Sequence, residues 1–572
     1  MAIPRSCEAS SCDAADSRPG DTLAPKEIVV KKYRQEKIIL LVLALAGLVY
    51  FLAFIPPNLT GAQDATMLSV FQHDEFAQYP HVVRMITPGE TPYQSLRNFV
   101  VYLHYYYGYP FYFLSALAIL PVKVLLGSGW AQNTSTIVAV LRQVINVFPM
   151  ILSALLLVWL QTRFKSWLRS IVIFVLLLTL PAVVSNNMWW HPDGLLVLFS
   201  VLTIFFLARD DFRFGRNFYL SAIPCALAVG VKILGVLFVL AYAVYILYGV
   251  FSRRIQLRKA VTRAAIFLGL MILALVITNP LLLLPIERAE ITEVCRANLQ
   301  QNTVGFWVKG NSEVSMFQQI YRLFGSNYTS ILLLLVSLAG LVYSMIKKET
   351  RALGLVIFTW ALGYTGYFLI FASTMRTHYL LPAALPVLSG LAVFLPECAL
   401  PDRKIAWWKN AAAFALLAGV LVQIIMNAMA ATTAVNTVLN REKTSSSINL
   451  YNRAEEEVLW CLQVDRKLRI YRDWRAYVAE DPDYYVIYNW DLATYPYIQE
   501  INADVIFLER ENMVYFSDAG KIAAAIDPAR MREMVAFYSD AIYGQLDGYT
   551  LALKTDFGAV FVKADLFQAC PD

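Results

Sequence analysis

Long apolar runs recur along this chain, and this repetition restricts the fold more than any other feature. Many of the runs reach the roughly 20 residues that an α-helix needs to cross a bilayer. Of the 572 residues, 58% are hydrophobic and only 16% are charged, which excludes a disordered chain and an ordinary soluble enzyme. The sequence therefore predicts a polytopic α-helical membrane protein.

Basic residues between the runs orient them, because Lys and Arg concentrate on the cytoplasmic side of a membrane. A basic cluster at 31–37 precedes the first run, so we expect a cytoplasmic N-terminus with residues 1–37 as a disordered tail. The tyrosine-rich segment 100–126 is interpreted as interfacial or re-entrant, because every densely basic loop then falls on one side. This alternation predicts about eleven spans within 38–431, with an outer loop at 57–135.

The spans that carry this alternation are read from the apolar runs and their flanking charges. They are predicted at about 38–56, 136–160, 170–187, 194–208, two within 218–250 that meet near Gly230–Lys232, 262–286, one ending at Lys347, 353–372, one ending at Arg403, and 410–431.

Residues 432–572 change in composition and are predicted to form a small extracytoplasmic α/β domain. Short apolar runs at 484–488, 503–508 and 558–563 are typical of strands, and 519–538 has a helical pattern. The domain contains no nucleotide-binding loop or catalytic motif, which favours a structural or substrate-presenting role. The seven cysteines show no C-x-x-C spacing, so no zinc or redox motif is expected, and the modest net charge of +6 gives no reason to expect a nucleic-acid partner.

Polar groups gather at the predicted outer face. The acidic pair Asp74-Glu75 lies about twenty residues beyond the first span, and Arg142 is near the outer end of the second. The remaining members follow later spans: His191, Asp193, Lys232, Arg376 and His378. Each alone has a plain interpretation, as a solvated loop residue, a satisfied histidine or an interfacial anchor, but their shared face favours a functional site.

Such a set has a specific chemistry. Carboxylates suit general-base activation of a hydroxyl acceptor or coordination of a divalent cation. Cationic groups suit a phosphate whose charge must be neutralised as it leaves. In a membrane protein this combination predicts an enzyme that uses a lipid-linked phosphate donor.

Several of these motifs occur in an order that resembles the GT-C superfamily of membrane glycosyltransferases. The branch is that of the protein-O-mannosyltransferases and aminoarabinose transferases, of the glycosyltransferase family 39 type. The motifs, within about 38–400, are Asp74-Glu75, the segment Tyr102–Gly127 with Tyr109-Pro110 inside it, Pro192-Asp193-Gly194-Leu195-Leu196, Gly230-Val231-Lys232 and Arg376-Thr377-His378-Tyr379-Leu380-Leu381-Pro382. The resemblance implies an inverting transferase that moves a monosaccharide from a polyprenyl-phosphate donor to a hydroxyl acceptor on a glycan, a lipid or a protein.

The resemblance also implies roles for single residues. Asp74 would be the catalytic base, and Glu75 would assist it or help to position the acceptor. Lys232, Arg376 and His378 would hold the donor phosphate. Asp193, with His191, would shape the site or ligate a cation; the superfamily leaves a divalent cation, Mg²⁺ or Mn²⁺, open. Gly108-Tyr109-Pro110 departs from the family's usual Lys/His-Pro-Pro, which leaves His104 as an alternative phosphate ligand.

Two other functions stay open from the sequence. An oligosaccharyltransferase or polymerase would move a preassembled glycan, but the C-terminal domain lacks a recognisable peptide-binding signature. A transporter or flippase of a lipid-linked sugar would bury its charges at mid-membrane, whereas here they lie at span ends. Compact loops favour a bacterial plasma membrane, with the C-terminal domain outside.

Overall fold

The first part of the membrane domain alternates long apolar helices with short helices of the outer loop. A computed structural model describes residues 25–309, 315–373, 375–397, 407–462, 465–490 and 492–567. Its first eight helices are α1 (Pro25–Ala53), α2 (Ile55–Leu59), α3 (Ala65–Phe71), α4 (His73–Ile86), α5 (Pro92–Val100), α6 (Tyr109–Leu126), α7 (Thr134–Arg142) and α8 (Phe148–Thr162).

The remaining membrane-domain helices pack against these eight around two apolar cores. They are α9 (Trp167–Thr179), α10 (Pro181–Asn187), α11 (Asp193–Asp210), α12 (Arg216–Leu220), α13 (Ala222–Val231), α14 (Phe238–Phe251), α15 (Leu257–Thr278), α16 (Pro285–Val304), α17 (Met316–Asn327), α18 (Ile331–Ile346), α19 (Arg351–Phe371), α20 (Leu381–Ser389) and α21 (Trp407–Thr444).

Within the described residues, seven helices are long and apolar enough to cross a membrane, or nine if two bent helix pairs each count as one span. The bent pairs are α9 with α10, at 61°, and α17 with α18, at 98°. The chain is thus a multi-pass membrane protein, as predicted. Three of the eleven predicted spans fall short: α11 carries charges at both ends, α13 has only 10 residues and α20 only 9. Tyr109–Gln132, which the prediction did not count as a span, is long and apolar enough to be one.

Several predicted positions can be compared directly with the helices. The two spans predicted within 218–250 are separated at Lys232, which has an extended backbone between α13 and a 3₁₀ turn at Ile233–Leu237. The stretch Tyr109–Gln132, within the segment expected at the interface, is itself long and apolar enough to span, so its interfacial placement stays a prediction. Helix α1 begins inside the predicted tail, and α21 runs through the predicted domain boundary at 431.

The C-terminal domain is the small α/β domain that the composition change predicted. Its elements are α22 (Ser446–Glu457), β1 (Leu468–Arg472), β2 (Tyr484–Tyr488), α23 (Tyr495–Ile501), β3 (Val505–Glu509), α24 (Arg510–Phe516), α25 (Lys521–Ala524), α26 (Pro528–Tyr543), β4 (Tyr549–Thr555), β5 (Gly558–Lys563) and α27 (Ala564–Phe567). The strand order is β2-β1-β3-β5-β4. The first three strands are parallel, and β5 pairs antiparallel with β3 and β4.

The sheet is buried on both faces because alternate residues of each strand point to opposite sides. Ile506 and Leu508 face one core, and Val505 and Phe507 face the other. The second core also includes Met67 of α3. The C-terminal domain therefore packs directly on the outer loop that contains the acidic pair.

Candidate active site

Glu75 is a fully buried anchor that joins three parts of the membrane domain. Arg142, also fully buried, donates to both of its oxygens, from Nε to Oε1 at 2.8 Å and from Nη2 to Oε2 at 2.5 Å. The backbone N–H of Trp190 donates to Oε1 at 2.6 Å. Arg142 also donates to the carbonyls of Asn58 and Thr60. Both carboxylate oxygens are thus occupied, and the pair ties α4 to α7 and to the turn after α10.

Asp74, the next residue back, has the opposite environment. It is half-buried, and within the described part of the chain it has no hydrogen-bond or ion-pair partner. Its charge acts on Tyr107, Tyr112 and His191, so the Asp74 carboxylate lies within electrostatic range of these three residues. Of the two carboxylates in the acidic pair, only Asp74 is free to accept a proton.

His191, Asp193, Lys232 and His378 lie together, and we call them the Asp193 cluster. The fully buried Asp193 carboxylate accepts from Lys232 Nζ at 2.9 Å through Oδ1, and its Oδ2 lies 2.5 Å from His191 Nδ1 and 3.8 Å from His378 Nε2. Asp193 opens α11 directly after Pro192, where proline presets the helical φ and a negative charge is favoured by the helix dipole.

Other elements hold the cluster in place. Tyr107 Oη lies 2.7 Å from His191 Nε2; donation from Nε2–H to this hydroxyl would leave the lone pair of Nδ1 directed toward Asp193 and available to a cation. The Asn146 side chain bonds both backbone groups of His191. Asn146 belongs to a π-helical turn at Gln143–Val147, and such turns are frequent at functional sites. The Trp189 ring stacks on His191 with centroids 3.9 Å apart.

The cluster has the donor set of a metal site. One ligand atom each from His191, Asp193 and His378 lies within 4.8 Å of the others. His191 Nδ1 and Asp193 Oδ2 are buried, and neither makes a hydrogen bond of good geometry. Two imidazole nitrogens and one carboxylate oxygen suit Zn²⁺ or Mn²⁺ better than Mg²⁺, which prefers an all-oxygen shell. The residues therefore fit a divalent cation.

Arg376 extends this site toward the C-terminal domain. It is exposed and has no hydrogen-bond or ion-pair partner among the described residues. Its charge acts on both His378 and His73. By contrast, His104, the alternative phosphate ligand, bonds to Tyr112 through Nδ1 at 2.5 Å. The His104 ring is 6.4 Å from that of Tyr107, which lies between it and His191.

His73 makes a contact with the C-terminal domain that the sequence analysis did not predict. Its Nε2 accepts from Arg475 Nε of the C-terminal domain at 3.1 Å, and its Nδ1 contacts the Ser69 carbonyl. Its ring meets that of Trp474 with centroids 3.9 Å apart. Burial, together with the nearby Arg475 charge, lowers the pKa of His73 to about 3. A neutral imidazole thus connects the C-terminal domain to the helix that carries Asp74.

No protein-family model matches the chain, and no curated protein matches it. Among solved structures it is similar to ArnT from Cupriavidus metallidurans in the apo state, with 12% identity and a TM-score of 0.48 over 92% of this chain and 99% of that chain. The same protein bound to undecaprenyl phosphate has 12% identity and a TM-score of 0.48 over 96% and 100%. The Archaeoglobus fulgidus oligosaccharyltransferase in complex with Zn and sulfate has 12% identity and a TM-score of 0.43 over 92% and 73%.

These solved structures are GT-C membrane glycosyltransferases, which is the superfamily that the sequence motifs resemble.

Proposed function

We propose that this chain is a membrane glycosyltransferase that moves a monosaccharide from a polyprenyl-phosphate donor to a hydroxyl acceptor at the outer face. One arrangement supports the proposal: the half-buried carboxylate of Asp74 has no hydrogen-bond or ion-pair partner among the described residues, and its charge is close enough to act on His191 of the Asp193 cluster. A base beside a cationic phosphate site is what transfer from a sugar phosphate to a hydroxyl needs.

In the proposed reaction, Asp74 removes the proton of the acceptor hydroxyl. The acceptor oxygen then attacks the anomeric carbon from the face opposite the phosphate, so that carbon inverts as its bond to the phosphate oxygen breaks. Lys232 stabilises the negative charge that develops on the departing phosphate, and the exposed Arg376 provides a second cation. Among the described residues the Lys232 ammonium makes one hydrogen bond, from Nζ to Asp193. Its other two N–H donors are available to a phosphate oxygen.

Glu75 and the metal ligands have separate roles in this proposal. The occupied oxygens of Glu75 favour a positioning role over the catalytic one predicted from the motif. His191, Asp193 and His378 would hold a divalent cation, which when bound would add Lewis-acid stabilisation of the phosphate. Whether or not a cation is bound, Lys232 and His378 keep the Asp193 carboxylate ionised and oriented.

The proposed location is the plasma membrane, with the C-terminal domain outside. Cys461 of this domain is disulfide-bonded, and disulfides persist in oxidising compartments. The basic loops that orient the predicted spans agree with this side.

The direct test is turnover by purified protein in detergent. A panel of radiolabelled polyprenyl-phosphate sugars is supplied, and release of free polyprenyl phosphate is measured. We expect one donor to be cleaved and NMR of the product to show inversion at the anomeric carbon. Protein that moves labelled donor across liposomes without cleaving any of the panel would be a flippase, and the proposal would fail.

A further inference from the structure

The carboxyl edge of the parallel strands forms a second concentration of functional side chains. Asp473-Trp474-Arg475 follows β1, Trp490 comes shortly after β2, and Glu509 ends β3. Strand β1 lies between β2 and β3, so the chain leaves it in one direction and later returns on its other side. Ligands of open α/β sheets bind outside the carboxyl ends of strands at such a switch point.

Four aromatic rings line this edge, and we call them the aromatic platform: Phe76, Trp474, Tyr488 and Trp490. The centroids of neighbouring rings lie 5.1 Å apart for Phe76 and Tyr488, 5.9 Å for Tyr488 and Trp490, and 6.0 Å for Trp474 and Trp490. Trp490 is 42% exposed and Tyr488 is 38% exposed. The rings thus pack on one another and still present aromatic surface to solvent.

Hydrogen-bonding groups border the platform. Asp473 is buried and accepts from Tyr538 Oη at 2.6 Å and from the Glu509 backbone N–H at 3.3 Å. The Oε2 atom of Glu509 is buried with no hydrogen-bond partner among the described residues. Arg475 donates to His73 and to Glu511. An unsatisfied buried carboxylate oxygen is costly, so a ligand that donates a hydrogen bond here would be favoured.

We propose that this edge is a carbohydrate subsite that holds one pyranose ring of a glycan acceptor, an assignment that rests on the proposed function. The C–H face of a pyranose packs against flat aromatic rings, whose faces carry negative charge, and its hydroxyls donate to carboxylates. The edge carries guanidinium groups as well as carboxylates, with Arg472 over the rings of Phe76 and Tyr488 and Arg475 over that of Trp474. A membrane lipid would cover the rings but would leave Glu509 Oε2 unsatisfied.

The position of the platform defines what the acceptor must be. His73 and Phe76 are three residues apart and share the face of α4 that meets the C-terminal domain. Asp74 is two residues, or about 200° of helical rotation, from Phe76, so the two side chains leave α4 in nearly opposite directions, and the Asp74 charge acts on His191. A sugar on the platform is therefore separated from Asp74 by roughly the 10 Å width of a helix, so the acceptor is a glycan of at least two sugars and not a lone hydroxyl.

The test measures binding of oligosaccharides to the full-length protein in detergent. The probes are gluco-, manno-, galacto- and N-acetylglucosamine oligomers, detected by saturation-transfer NMR. We expect at least one series to bind, and Trp490→Ala to weaken it about tenfold, by the energy of one aromatic contact. Trp490→Phe should restore part of the affinity. Trp460→Ala is the matched control, because Trp460 is 62% exposed and outside the platform.

Two results would overturn the subsite. One is a binding result: either no oligomer binds, or Trp460→Ala weakens oligomer binding as much as Trp490→Ala does. The other concerns the part of the tryptophan fluorescence that wild type has and Trp490→Ala lacks, since the chain has 12 tryptophans: quenching of this part by brominated phosphatidylglycerol vesicles and not by oligosaccharide would assign the platform to the membrane surface. Slow hydrolysis of the donor by water needs no acceptor and serves as a separate assay of the proposed function. Trp490→Ala should leave the rate of donor hydrolysis unchanged. If the wild-type protein did not hydrolyse any donor, that result would count against the transferase and not against sugar binding.

Discussion

The Asp193 cluster and the aromatic platform lie on opposite sides of the first turn of α4, and their chemistry differs. The cluster is enclosed, and its one carboxylate is matched by Lys232 and two imidazoles. The platform is half-open, and its carboxyls border exposed aromatic rings. The first arrangement suits an anionic group that must leave with its charge neutralised. The second suits a neutral, hydroxyl-rich ligand, and Asp74 lies between them.

Changing Asp74→Asn should have the largest effect, because it removes the proposed base between the two sites. We expect turnover to fall by about 10²–10⁴-fold, the usual contribution of general-base catalysis, while affinity for polyprenyl phosphate is unchanged. Release of polyprenyl phosphate and equilibrium binding measure the two effects. Asp211→Asn is the control, since Asp211 has a positive φ of 48° that asparagine tolerates. Normal turnover in the Asp74 variant would remove the proposed base.

Changing Glu75→Ala tests whether the neighbouring carboxylate only positions the turn. It leaves Arg142 buried without its partner, which costs about 3–5 kcal/mol. Thermal unfolding in detergent should therefore show a large loss of stability. The double variant Glu75→Gln with Arg142→Met should recover part of that loss, because it removes the unpaired charge. A Glu75→Ala protein that is as stable as wild type but inactive would point to a catalytic role instead.

The contrast between Asp74 and Glu75 also shows how far the sequence could reach. Apolar runs predicted the break at Lys232 and the strand at Tyr484–Tyr488, because both are set by local pattern. The partners were not predictable: Glu75 meets Arg142 across 67 residues and His73 meets Arg475 across 402. Sequence marks a charge that needs a partner, but only packing selects which one. The resemblance gave Asp74 and Glu75 different roles, but their different partners became visible only in the fold.

Changing Lys232→Met sharpens the phosphate half of the comparison. Loss of the cation should weaken binding of polyprenyl phosphate by about 10–100-fold, the energy of one or two charge-assisted hydrogen bonds. Isothermal titration in detergent measures it, and Lys232→Arg should keep most of the affinity. Lys259→Met, at an exposed position in the first turn of α15, should have no effect. Equal affinity of wild type and Lys232→Met would place the phosphate elsewhere.

Changing Glu509→Gln tests the aromatic platform, and we expect the smallest effect from it. Burial raises the pKa of Glu509 from 4.5 to about 7, against the lowering influence of Arg475. The folded protein therefore holds this proton more tightly than the unfolded chain, so the stabilisation is complete below about pH 4.5 and is lost as the pH rises to about 7. Glutamine mimics the protonated carboxyl. The variant should match wild type near pH 4.5 and be more stable at pH 8, by at most about 3 kcal/mol.

Hydrogen exchange of the β3 amides at several pH values measures this difference, because it reports the stability of the sheet within the intact protein. Glu533→Gln, at an exposed position, should follow wild type at every pH. A bound oligosaccharide whose hydroxyl donates to Glu509 favours the ionised carboxylate, so it should reduce the advantage of the glutamine variant at pH 8. If the oligosaccharide left that advantage unchanged, Glu509 would not contact the sugar, and the platform would act through its rings alone.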